Sequence, residues 1–254
     1  MQLLGLMLGV SSLVFEGLII FRAFQGKYLS RFPLLYSYVG FVFCASPALY
    51  FVIQRLWPEY YMSCYWFYFL ITQVVEFAVL IEVSDQVFKP YPAVRQMGRL
   101  ITIGICLSFS IFYIAPAILR AERSDIAILT FAQETNLAKV AIILGLLIAI
   151  RYLGLPLGKN ISGIMLGFAF YVTTGAVVFT AAIVSGRALF ADALYILLPC
   201  SYDLCLLVWV VALWRYEPVQ AKRESDGKDP SVPAKPLGAQ LGHYRTFLVR
   251  SLRR

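Results

Sequence analysis

Two residues of this chain stand where their chemistry is costly. Lys139 and Asp203 each lie inside a long apolar run, and each stands twelve residues before an arginine, Arg151 and Arg215. If both runs are helices rising about 1.5 Å per residue, the two groups share one level, about 18 Å from those arginines. An isolated charge at the centre of a bilayer costs at least about 2.5–3.5 kcal/mol. Opposite charges at one depth offset that cost by pairing. The sequence therefore predicts a Lys139–Asp203 ion pair, direct or through water.

More polar groups fall near the same level: Thr72, Gln73, Tyr171, Thr173 and Thr174, with Glu76 one helical turn from Gln73. Gln133, Glu134, Thr135 and Asn136 lie towards the outer end of the run that holds Lys139. Thr72, Gln73, Glu76, Gln133, Glu134, Asn136, Tyr171 and Thr174 form a candidate pocket open to the exterior. Inward-facing polar residues in membrane bundles bind ligands or ions. The plainer alternative is a buried polar network that only fixes helix register. Glu16, in the first run, is a candidate buried carboxyl. Glu82 and Asp85 approach the inner boundary, within reach of Lys89, Arg95 or Arg99, and are expected to pair with them.

Other chemistry finds little support. The single histidine, His243, lies far down the C-terminal tail, and the five cysteines show no metal-ligand spacing. No catalytic motif, metal or cofactor is expected. Retinal proteins carry their Schiff-base lysine on the last helix, whereas the last run here has Asp203 and no lysine.

The elements that must position these groups are seven apolar spans, at about 3–21, 33–54, 61–84, 100–119, 126–150, 161–185 and 191–214. Each matches the roughly 20 residues that cross a bilayer. Each must be a helix, because lipid offers the backbone no hydrogen-bond partners. The chain is 60% hydrophobic and only 14% charged, so the bilayer is its solvent. The expected fold is an all-α integral membrane protein, a seven-transmembrane-helix bundle over residues 1–216. The first span lacks a basic leader and is read as a retained helix, not a signal peptide.

Charge orients the bundle. Arg22, Lys27 and Arg31 follow span 1; Lys89, Arg95 and Arg99 follow span 3; Arg151 and Lys159 follow span 5; nine more basic residues lie at or after Arg215. The opposite side has only Arg55, Arg120, Arg123 and Arg187. The positive-inside rule places the N-terminus outside and the C-terminus in the cytoplasm. The net charge of +8 thus sits where it meets anionic inner-leaflet lipids, and no nucleic acid is implied.

Within the spans, Gly163-x-x-x-Gly167 allows close helix approach, and Pro47, Pro116 and Pro199 are expected to kink spans 2, 4 and 7. Residues 217–238 are charged and proline-interrupted, and read as a flexible linker. In residues 239–254, Leu241, Tyr244, Leu248 and Leu252 recur at helical spacing beside Arg245, Arg250, Arg253 and Arg254. This is the pattern of a basic amphipathic helix on the inner leaflet.

Tyr65-Trp66, Glu76, Glu82 and the run Phe88-Lys89-Pro90-Tyr91-Pro92-x-x-Arg95, with Phe32-Pro33 through Tyr38, resemble a segment in a family of uncharacterised bacterial seven-helix membrane proteins. The resemblance lies mainly in spans 1–3. It implies a bacterial inner (cytoplasmic) membrane and lends no activity. The expected function is that of a sensory or receptor-like membrane protein with a polar pocket between spans 3, 5, 6 and 7, signalling through a separate membrane or cytoplasmic partner. A small solute or ion transporter and a non-catalytic accessory subunit of a membrane complex are the alternatives.

Overall fold

Long apolar runs fold as helices throughout the part of the chain that the structure shows. The structure is a computed structural model that describes residues 2–26, 28–89, 95–96, 98–100, 103–104, 108, 125–153, 157–185 and 187–214. The chain divides into two units, Met1–Val219 and Gln220–Arg254, and the second lies outside the described residues. So do most of the 100–119 span, Pro116, the 217–238 linker and the 239–254 tail with its four arginines.

The helices are α1 (Gln2–Gly26), α2 (Pro33–Pro47), α3 (Pro58–Val87), α4 (Asp125–Leu153), α5 (Lys159–Ser185) and α6 (Arg187–Trp214). Six helices among the described residues are long and apolar enough to cross a membrane. Several run past the expected boundaries, because polar residues at their ends continue the helix into the interface. Pro33 and Pro58 open α2 and α3, where a missing N–H costs nothing. Pro47 leaves a rung of the ladder without a donor, and the chain widens into a π turn over Ala48–Ile53 before Gln54–Leu56. Pro199 lies inside α6, which continues through it.

Each helix packs on its neighbours in sequence, and α6 returns to α1, closing a ring. The inner faces meet around Tyr38, Val39, Ile164, Phe168, Leu206 and Trp209, all buried. Trp209 is fully enclosed: it stacks on Phe168 with ring centroids 6.1 Å apart, meets Tyr38 edge-on, and donates from Nε1 to the Ile164 carbonyl at 3.1 Å. Small residues make the α5–α6 approach possible. A Cβ on Gly163 would overlap that of Ala212, and one on Gly167 would lie 2.9 Å from Trp209. The glycine pair thus serves internal packing.

The outer faces carry large apolar side chains on every helix, including Phe24, Phe43, Phe67, Ile148, Val184 and Val211. Phe67 is 70% and Val184 79% exposed. So continuous an apolar exterior is incompatible with water and suits hydrocarbon. The protein is a multi-pass integral membrane protein.

Helix ends meet in a consistent way. Arg22, near the end of α1, donates from Nε to the Trp214 carbonyl at 2.9 Å and lies 5.7 Å from the Trp214 ring. Asn160, at the start of α5, donates to the Ala212 carbonyl at 2.6 Å. Glu82, near the end of α3, accepts from the backbone N–H groups of Leu34 and Leu35 at 3.0 and 2.9 Å. The basic segments after α1, α3 and α4 therefore share one end of the bundle.

Candidate functional site

Lys139 reaches the core because it shares a face of α4 with Ala138, Ile142 and Ile143, all buried. Opposite it, Gln73, Glu76 and Phe77 fall at helical spacing on one face of α3. The Lys139 ammonium bonds a Glu76 carboxylate oxygen and, at 2.5 Å, the Gln73 side-chain carbonyl oxygen. It also lies 5.5 Å from the centroid of the Phe77 ring, whose face attracts a cation. The other Glu76 oxygen accepts from the Tyr38 hydroxyl at 3.2 Å. Lys139 and Glu76 are both 0% exposed, so this contact is shielded from water and tied to three helices.

Asp203 has different company. The Ser11 and Ser12 hydroxyls each lie 2.5 Å from one of its oxygens, joining α6 to α1. Each of these hydroxyls is also 2.9 Å from the Leu8 carbonyl, so its single hydrogen is shared between two acceptors. One turn further along α1, Glu16 accepts from the Tyr202 hydroxyl at 2.8 Å. Its second oxygen is buried and has no hydrogen-bond partner among the described residues. Tyr202 meets Tyr171 of α5 with ring centroids 5.5 Å apart.

The sequence paired Lys139 with Asp203. In the structure the carboxylate that Lys139 grips is Glu76, and the groups that hold Asp203 are two serine hydroxyls. Depth counting set Lys139 and Asp203 at one level, with Glu76 a turn beyond Gln73, but could not say which side chain faced which. The structure also gives the candidate pocket residues their partners. Thr72 donates back to the Tyr68 carbonyl at 2.8 Å, and Asn136 to the Ala132 carbonyl at 2.9 Å, both within their own helices. Gln133 ties α4 to α5 through Thr180 at 2.9 Å. Glu134 keeps one buried oxygen without a hydrogen-bond partner among the described residues, and Thr174 is half-buried. Tyr171 belongs to the aromatic cluster with Phe168 and Tyr202.

At the basic end, Asp85 pairs with Arg95 at 2.8 Å, as the sequence suggested. The hydrogen bond and charge of Asp85 raise the Arg95 pKa above its ordinary value. Glu82 does not take the expected role. It caps the N-terminus of α2, where unpaired N–H groups and the helix dipole favour a carboxylate.

Ser11, Ser12, Tyr38 and Tyr202 were not legible as site residues. Serines are common in membrane helices, and tyrosines pass as apolar bulk. One signal existed: Ser12 precedes Glu16 by one turn in an otherwise apolar run. Among the described residues no group of three or more histidine, cysteine or acidic side chains is placed to hold a metal ion.

Taken together, and Glu82 at the start of α2 apart, the described residues hold three buried carboxylates, Glu16, Glu76 and Asp203, and the buried ammonium of Lys139. They fall at the two junctions where the first three helices meet the last three: Glu76 at α3–α4, and Glu16 and Asp203 at α1–α6. No protein-family model, curated protein or solved structure matches the chain.

Proposed function

We propose that this is a sensory or receptor-like membrane protein whose switching element is the buried ionic layer, with output through a separate partner at the basic face. The observation that carries this reading is the placement of three buried carboxylates at both junctions between α1–α3 and α4–α6. Hydroxyl–carboxylate bonds with a shared hydrogen can be exchanged by small helix rotations, whereas interlocked apolar packing resists them. Such a layer supplies the two-state element that a sensor needs.

The reading includes seven crossings, the N-terminus outside and the C-terminus in the cytoplasm. Support comes from the helix ends: α3 finishes at the basic end, while α4 begins at the other, where Phe131 meets Phe69 and Gln133 meets Thr180. A bacterial inner membrane follows from the resemblance in spans 1–3.

Spin labels at the exposed positions Met62 and Val184, introduced as cysteines after removal of the native ones, test the switch by pulsed distance measurement. Two distance populations are expected, with a ratio that changes when Ser11 and Ser12 become alanine. One narrow distance, unchanged by those substitutions, would mark a rigid scaffold and overturn the sensor reading in favour of an accessory subunit.

A cation or proton path is the second reading, favoured by the unpartnered oxygen of Glu16 beside its tyrosine. It requires that liposomes holding the protein take up protons or Na⁺ and that Glu16→Gln abolishes the uptake. Flux equal to that of empty liposomes rules it out.

A further inference from the structure

At the basic end of the bundle an open cavity of about 310 Å³ lies between the start of α2 and the end of α3. Ligand sites run from roughly 300 to 1,000 Å³, so it has room for a small polar group. Its lining includes four basic side chains, Arg31, Lys89, Arg95 and Arg99, against two acidic ones, Glu82 and Asp85. Both acids already have work to do. Glu82 caps α2 through the N–H groups of Leu34 and Leu35, and Asp85 holds Arg95 in place. The cavity is therefore cationic in balance, and its cations ring an opening rather than a closed core. The second Asp85 oxygen is buried and has no hydrogen-bond partner among the described residues. An acceptor beside a cationic rim suits a ligand that carries a donor next to an anion.

We infer that this cavity binds a phosphate group, with Lys89 and Arg99 gripping its oxygens and Asp85 accepting from a hydroxyl or ammonium attached to it. Guanidinium groups match phosphate oxygens in a forked geometry that lysine cannot reproduce. A phospholipid headgroup meets this description, since it presents a phosphate diester with donors beyond it. The identification with a lipid rests on the proposed sidedness, which sets the cavity at the level of the inner headgroups. Free phosphate shares the chemistry but not the membrane source.

The test uses the full-length protein in phosphatidylcholine nanodiscs doped with phosphatidylglycerol, with retained lipids counted by native mass spectrometry. The wild type is expected to retain phosphatidylglycerol in preference to phosphatidylcholine. Lys89→Gln/Arg99→Gln should lower that retention by about tenfold or more, as loss of charge-assisted hydrogen bonds implies. Arg99→Lys, which keeps charge but loses the fork, should fall between. Both side chains are exposed, so the variants should fold; circular dichroism checks this, and Arg99→Gln alone replaces the pair if the double variant fails. If the substitutions lower retention and millimolar inorganic phosphate does not displace the lipid, the headgroup is the ligand. If phosphate binds by itself and both substitutions weaken it, the phosphate site stands and the lipid source fails. Retention equal in wild type and variant, with no effect of phosphate, overturns the inference. Sidedness is measured separately, by impermeant thiol labelling of Leu29→Cys in inside-out and right-side-out vesicles, so the two failures are distinguishable.

Discussion

Replacing Lys139 by methionine should damage the bundle more than replacing Lys139 and Glu76 together. The single change leaves Glu76, which is 0% exposed, with Tyr38 as its remaining hydrogen-bond donor among the contacts described above. It also removes the donor from the Gln73 oxygen. Breaking one side of a buried ion pair costs about 3–5 kcal/mol, because the stranded charge has lost its compensation. The orphaned Gln73 oxygen adds about 1–3 kcal/mol where no water reaches it. Lys139→Met/Glu76→Leu removes both charges and fills similar volume. Replacing a buried pair by apolar side chains is often close to neutral. What remains is the loss at Gln73 and at the Tyr38 hydroxyl, about 1–3 kcal/mol for each group. The double variant should therefore be more stable than the single one by about 2 kcal/mol or more. Equilibrium unfolding in mixed detergent micelles, followed by tryptophan fluorescence, reads both losses, and Glu76→Leu completes a double-mutant cycle. Additive losses, with the double variant as unstable as the two single changes combined, would refute the pairing. They would mean that Lys139 and Glu76 are not each other's compensation.

Three further outcomes follow from the contacts. Ser11→Ala/Ser12→Ala strips Asp203 of two donors and should cost about 2–4 kcal/mol in the same assay; adding Asp203→Leu should recover part of the loss, and no recovery would show that the serines act elsewhere. Gly163→Leu drives a side chain into Ala212 and should separate α5 from α6, measured as a loss of monodisperse protein in size-exclusion chromatography, while the milder Gly163→Ala should be partly rescued by Ala212→Gly. Glu82→Ala leaves the start of α2 without its carboxylate and should cost about 0.5–2 kcal/mol, with faster hydrogen exchange confined to Leu34, Leu35 and the turn that follows; uniform exchange would count against the cap.

Much of the architecture was legible because a bilayer imposes one-dimensional rules. Length and apolarity mark a crossing whatever surrounds it, and α1, α3, α4, α5 and α6 each contain the span that the sequence drew. The alternation of basic loops anticipated that Arg22 and Trp214 would share one end with the starts of α2 and α5. The glycine pair of α5 was legible for a similar reason: only close approach makes a missing Cβ useful. Glu82 was misread because its contact is with backbone. An N–H group has no letter in the sequence, and a nearby arginine looks like the better partner.

The identity of the site's contacts belongs to the tertiary structure. Counting residues gives depth, and it set Lys139 and Asp203 at one level. A bond also needs direction around the helix axis and a neighbour to face. That is decided by how α3 lies against α4 and α1 against α6, through packing summed over many apolar side chains. So the sequence by itself determined that charge lies among the apolar spans, because a run of apolar residues makes every such residue conspicuous. Only the assembled ring decided that Lys139 would hold Glu76 and that Asp203 would be held by two serines.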